Sequence, residues 1–164
     1  MTPTKGDGLD AFLRAALEAL QRAVVVYDQD LRLVFANRCF ERACCPVERL
    51  RGKTPREAGV PADAAAATLV EQRLAEVLVT GESRVCEFHT EGETRRLVRL
   101  ELRPVVDAGG ARRGVIGIAD DITRRRAAAE QQAFLSHAID RISEAAYFLD
   151  SEGRVVYVNE AACR

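Results

Sequence analysis

The chain lacks an excess of charge of either sign. Lysine plus arginine number 24 and aspartate plus glutamate 25, for a net charge of −1 at pH 7, with acids and bases interleaved. That balance excludes the basic footprint of a nucleic-acid binder and gives no patch for a membrane surface. No apolar run approaches the length of a membrane span, and the first residues, MTPTKGDG, lack a secretory core. A disulfide framework is excluded as well. The five cysteines are an odd number, and Cys44 and Cys45 are adjacent, which reads as reduced thiols in a cytosolic protein. Lysine is scarce, at Lys5 and Lys53 only, while Ala and Arg are abundant, the composition of a GC-rich bacterial genome. The chain has no Gly-rich phosphate loop and no nucleophile–base–acid constellation, so enzymatic activity is not expected of it.

What is present is a globular composition. Apolar residues make up 48% and charged residues 30% of 164 residues, enough for one core plus extra helices. The organising stretch is residues 114–145. It opens as an apolar strand with Val115, Ile116 and Ile118, crosses Asp120-Asp121-Ile122-Thr123, and runs on as a long helix free of Gly and Pro. Asp121 and Thr123 are helix-starting residues, because their side-chain oxygens accept from the free amides of a first turn.

Before that stretch, residues 1–8 are polar and read as mobile. Phe12, Leu13, Ala16, Leu17 and Leu20 then follow an i, i+3, i+4 pattern, an amphipathic helix from Asp10 to near Arg22. Residues 23–27 and 31–36 form a hairpin around Asp28-Gln29-Asp30, and Asn37 caps a short helix, NRCFERACC. Pro46 opens a helical turn, and residues 53–61 are loop with at most one turn of helix. Residues 63–80 form a helix stopped by Gly81. Strands follow at 84–90 and 94–106, joined by the turn Glu91-Gly92-Glu93, and the strand from Gly114 completes the unit. Short connections pair consecutive strands antiparallel, giving a five-stranded α+β domain with a cleft between sheet and helices.

The sequence also repeats itself. Shifted by 122 residues, 133–164 falls on 11–42 with 10 identities in 32 positions, among them Ala133-Phe134-Leu135 on Ala11-Phe12-Leu13, Asp150 on Asp28 and Asn159 on Asn37. The expected organisation is a tail and amphipathic helix over 1–22, a complete domain over 23–123, a linker helix over 124–145, and a truncated second unit over 146–164. On this reading the chain is a fragment of a longer protein.

These residues resemble the PAS sensory domains of bacterial signalling proteins. The resemblance covers residues 20–124, with a second, tandem copy beginning at 142–164. It rests on Val26-Tyr27-Asp28 through Val34-Phe35-Ala36-Asn37, on Leu50-Arg51-Gly52-Lys53-Thr54, and on Gly114 to Thr123 with its Asp-Ile-Thr ending. It implies sheet order 2-1-5-4-3, with the first strand central and short helices on one face. It also implies a cytoplasmic, two-component-type sensor that relays a small-molecule, redox or protein signal through its linker helix. The output would be a sensor kinase or cyclic-dinucleotide enzyme, and the linker helix would pair in a homodimer. Asp121 and Thr123 carry over as the signal-transmission joint. Ala128, Leu135, Ala138 and Ile142 lie at heptad-like spacing on the linker. Flavin-binding relatives use a reactive Cys followed by Arg-Phe-Leu-Gln, and haem-binding relatives a His on the longer helix. Residues 52–57 and 62–80 hold neither, so no cofactor is indicated.

The remaining candidates have plainer readings. Phe40, Leu69, Leu74, Phe88 and Leu100, with residues 24–27, would wall a ligand cleft or simply fill a core. His137, in Phe134-Leu135-Ser136-His137-Ala138, superficially matches a histidine-kinase phosphoacceptor box. Ala138 stands where an acid is expected, and no Pro follows. The alternatives to a sensor are therefore a phosphoacceptor region at His137 or a dimerisation module without ligand. Cys39, Cys44 and Cys45 read as small core residues. A thiolate stabilised by Arg38, Arg42 or Arg49 would make a redox switch, and no second ligand cluster supports a metal.

Overall fold

Strands form where β-branched residues alternate, and helices where apolar residues recur every three to four positions. The computed structural model describes residues 5–91 and 94–163, with side chains from residue 11 onward. They fall into two units, one ending at Ile122 and one beginning at Thr123.

The first unit runs α1 (Lys5–Ala19), β1 (Ala23–Asp28), β2 (Leu33–Ala36), α2 (Arg38–Ala43), a 3-10 turn (Val47–Arg49), α3 (Pro55–Ala58), α4 (Ala64–Thr80), β3 (Arg84–His89), β4 (Leu97–Val106) and β5 (Arg112–Asp121). The five strands form one antiparallel sheet in the order β2-β1-β5-β4-β3. This is the order the family resemblance implied, with β1 an interior strand and β5 in the middle. The β1–β2 hairpin and the β3–β4–β5 meander each have two edges, and they join through β1 and β5. β1 pairs with β5 along its whole length, from Ala23 opposite Ala119 to Asp28 opposite Gly114.

The core lies on one face of this sheet. Val25, Tyr27, Cys86, Leu100, Leu102 and Val115 point from the strands onto Val70, Leu74 and Val77 of α4 and onto Val47 and Leu50. Strand alternation sends Val26 and Phe35 to the other face. There they line a groove with Leu13, Arg14 and Leu17 of α1, and the Arg14 guanidinium lies 5.5 Å from the Phe35 ring centre. The helices that carry the core are capped as their sequences require. The Asp63 side chain accepts from the Ala65 amide, and Gly81 closes α4 in the left-handed region at φ 76°. Thr54 and Glu57 form a reciprocal capping box around α3.

Several boundaries differ from expectation. α1 begins at Lys5, so residues 5–8 are helical; residues 1–4 of the expected tail lie outside the described residues. It ends at Ala19, before Arg22, because the Asn37 side-chain amide donates to the carbonyls of Leu17 and Arg22 and turns the chain out of the helix. β2 starts at Leu33 because the turn is wider than three residues. Leu31 sits at φ 60°, and the Asp28 carboxylate accepts from the amides of Asp30 and Arg32. β4 starts at Leu97, and Gly92 and Glu93 of the expected turn lie outside the described residues.

The second unit comprises α5 (Thr123–Asp140), β6 (Tyr147–Leu149), β7 (Val155–Val158) and a 3-10 turn (Glu160–Cys163). α5 starts at Thr123 and stops at Asp140, short of the expected 145. Ile142 is therefore not a helical residue. The cause matches that in the first unit: the buried Asn159 amide donates to the carbonyls of Ile139 and Glu144.

The sequence repeat is thus a repeat of hydrogen bonds. Asn37 Oδ1 accepts from the amides of Val24 and Phe40, and Asn159 Oδ1 from those of Ala146 and Ala162. Asp150 accepts from Glu152 and Arg154 as Asp28 does from Asp30 and Arg32, and Gly153, at φ 77°, stands where Leu31 does. Both hairpins carry the same bulge. The two differ in burial. Val25, Tyr27, Leu33 and Ala36 are core residues, whereas their counterparts Tyr147, Leu149, Val155 and Val158 are exposed.

Two glycines allow β5 its central place. A Cβ on Gly114 would lie 2.1 Å from the Tyr27 carbonyl oxygen, and one on Gly117 2.9 Å from Val25 Cγ2. Gly114→Ala must push β5 away from the β1 backbone, so it is expected to cost about 3 kcal/mol, the upper end for overpacking. Urea denaturation measures this, and a loss under about 1 kcal/mol would show that the close approach is not needed.

Candidate signal-transmission site

β5 leaves the sheet where the chain enters α5. Asp120 and Asp121 are its last residues, and sheet pairing continues one step further, with the Ile122 amide donating to the Leu97 carbonyl at 2.9 Å. Ile122 alone separates β5 from α5. Asp121 is exposed, with the Arg96 guanidinium 3.9 Å from its carboxylate. Thr123 is the first residue of α5. The expected joint residues thus bracket the exit, one in each unit.

The sequence reading missed Asp120. Its carboxylate takes both Nε and Nη2 of Arg22, a two-pronged pairing that fixes geometry as well as charge. Arg22 immediately precedes β1, and its carbonyl accepts from the Asn37 amide. Asn37, Arg22 and Asp120 therefore link the end of α1, the start of β1 and the end of β5. The ion pair is partly exposed, with side chains 48% and 37% accessible, so it contributes at most about 1 kcal/mol. Its value is positional. The local pattern marked Asp121 and Thr123 as helix-starting residues, and nothing local showed which carboxylate met Arg22 nearly a hundred residues away.

The five expected cleft residues converge on one core. Leu74 and Leu100 are fully packed in it, and Phe40, Leu69 and Phe88 are half-buried against it. Only Phe40 lines the cavity beneath β1, with Tyr27, Leu33, Leu50, Pro55 and Val60. The cavity offers the centre of a water molecule about 10 Å3, the minimum for holding one water. In this packing the cleft is filled by its own side chains. Burial raises the Tyr27 hydroxyl well above its ordinary value, and the charges of Cys44 and Glu71 add to that.

His89 and His137 are both exposed, on β3 and α5. The cysteines are not uniformly core residues. Cys86 is buried, Cys39 and Cys45 are half-buried, and Cys44 and Cys163 are exposed. The bare core reading fails for Cys44 because it stands just after α2, where the helix turns out to solvent. No helix of the described residues is long and apolar enough to cross a membrane.

The family profile of the PAS fold matches residues 17–127. The chain belongs to the PAS family. The PAS domain of Bordetella pertussis BvgS superposes with a TM-score of 0.63 at 25% identity, covering 80% of this chain and 98% of that one. An RNA-binding light-oxygen-voltage receptor superposes at 0.61 with 22% identity, over 87% of this chain and 42% of that one. VqmA bound to DPO superposes at 0.59 with 22% identity, over 70% of this chain and 57% of that one. The last two show the shared fold. No curated protein sequence matches the chain. PAS domains are sensory and signalling modules, and the first unit is one.

The raised Tyr27 value fixes a pH dependence for this PAS domain. Its neutral hydroxyl contributes stability in full below the ordinary tyrosine value near pH 10. That contribution is lost as pH rises toward the higher folded value. Urea midpoints are therefore expected to fall as pH rises above about 10, and Tyr27→Phe should flatten the part of the decline above that value. An unchanged slope in the variant would show that Tyr27 is not the group responsible.

Proposed function

We propose that the chain is a cytoplasmic sensory PAS module, acting without a flavin or haem cofactor, that passes a signal from its core to α5 and on to an output domain. The observation that carries this reading is the central position of β5, with its last pairing at Ile122 and α5 beginning at Thr123. A middle strand feels repacking on both sides, and here no loop intervenes before the helix. Asp121 and Thr123, with Asp120 and Arg22, would set the joint.

A small-molecule signal would enter at the cavity walled by Phe40 and Tyr27 and would draw on Leu69, Leu74, Phe88 and Leu100 as it widened. With room for one water at most, a ligand must select a more open packing and bind it better than the closed one. VqmA, which shares this fold over 57% of its chain, has a structure bound to DPO.

The dimer reading rests on α5. Phe134 and Leu135 are 71% and 51% exposed, and no side chain of the helix is buried. Ala128, Leu135 and Ala138 keep the heptad spacing on the helix, and Ile142 drops out of the seam. Light scattering is expected to show a dimer that Leu135→Glu dissociates at least tenfold more readily. Equal self-association of the wild type and the variant would remove α5 as the dimer seam.

The matched hydrogen bonds of the two hairpins favour reading residues 146–163 as the opening of a tandem second PAS unit. A lone hairpin has little stability of its own, and its apolar residues are exposed here. Amides of 147–149 and 155–158 are expected to exchange much faster than those of 97–106 in dilute protein. Equal protection would mean that the hairpin is complete as it stands.

A further inference from the structure

Outside the joint and the cavity, one cluster of reactive groups is left without a role. The sulfurs of Cys44 and Cys45 lie 3.7 Å apart. A single atom bonded to both at roughly 2.3 Å, the length of a metal–thiolate bond, spans that gap at a nearly tetrahedral angle. The residues are adjacent, so no loop has to close to bring the sulfurs together. Cys44 is exposed and Cys45 half-buried against the core, so the pair is open on one side and anchored on the other.

The donor count selects the ligand. Among the described residues no three His, Cys, Asp or Glu side chains gather around a possible metal site. An ion that needs four protein donors, as structural zinc does, is not served. A trivalent organoarsenical is. It carries one carbon substituent of its own and leaves two positions for soft sulfur donors. Peroxide oxidation is the poorer fit, because it needs a ready thiolate. Partial desolvation of the sulfur, although the residue as a whole is exposed, and the hydrogen bond to Cys45 push the Cys44 thiol up to about 12.

We propose that Cys44 and Cys45 form a vicinal dithiol site that captures a trivalent organoarsenical. In the exchange, two As–S bonds form and two As–OH bonds break. Each thiol proton leaves with a hydroxyl as water, and arsenic stays trivalent, so no electrons are transferred. The adduct is a neutral ring closed through the Cys44–Cys45 peptide bond. Cys44 closes α2, and its amide donates to the Phe40 carbonyl at 2.9 Å. Phe40 in turn lines the cavity beneath β1. Capture at the surface therefore pulls on a wall of the core. The binding step itself is independent of the sensory reading, and the test below reads binding alone.

The test treats the reduced full chain with phenylarsine oxide. One arsenical per chain is expected. It should hide two of the five thiols from a chromogenic disulfide reagent, resist a glutathione wash and be released by 1,2-ethanedithiol. Cys44→Ser and Cys45→Ser should each abolish glutathione-resistant capture, while Cys39→Ser keeps it. Mapping on the wild-type protein does not depend on any variant folding: the arsenical should sit on the tryptic peptide of residues 43–49. Retention by both serine variants, a map elsewhere in the chain, or complete loss to glutathione would overturn the proposal.

Discussion

The pairing of β1 with β5 is the contact on which the rest of the structure depends. It joins a local hairpin to a three-stranded meander separated from it by all the helices of the middle chain. It exists because Gly114 and Gly117 keep β5 thin where it passes the Tyr27 carbonyl and the Val25 side chain. With β5 seated there, its inward face and those of β1 and β4 make one apolar surface. α4 can then bury Val70, Leu74 and Val77 against it. The same seating puts the end of β5 beside the start of β1, where Asp120 meets Arg22. Core and exit are therefore consequences of one alignment.

Asn37 is the second constraint, and it acts on the backbone. Its buried side chain ends α1, holds the Val24 amide of β1 and caps α2, with every polar atom used. A buried amide in this position is costly unless fully satisfied. The sequence around it is correspondingly specific, and Asn159 reproduces it bond for bond. The two hairpins show what tertiary context adds to the same local code. Each has the Asp-anchored turn, the bulge and the Asn hub, yet among the described residues only the first joins a larger sheet and buries its apolar face.

The sensory cleft illustrates the limit of pattern. Phe40, Leu69, Leu74, Phe88 and Leu100 were all placed in one interior by their spacing, and they are together there. Spacing could not say that the interior would be full, or that Phe40 alone would border the remaining space. That depends on how the loop carrying Leu50, Pro55 and Val60 folds over β1, which no periodicity encodes. Cys44 is a similar case: a small apolar residue by composition, it is exposed because α2 ends one residue earlier.

Element types, their order, the caps at Asn37 and Gly81, the repeat and the family were legible in the residues. Each is set by local propensity or by short-range hydrogen bonds. The stopping points of α1 and α5 were not, because an asparagine about twenty residues ahead takes carbonyls from each helix end. The choice of Asp120 over Asp121 as the partner of Arg22 and the closed cavity were decided only in three dimensions. Each depends on which distant surfaces come into register, and that is a property of packing, which the one-dimensional pattern does not carry.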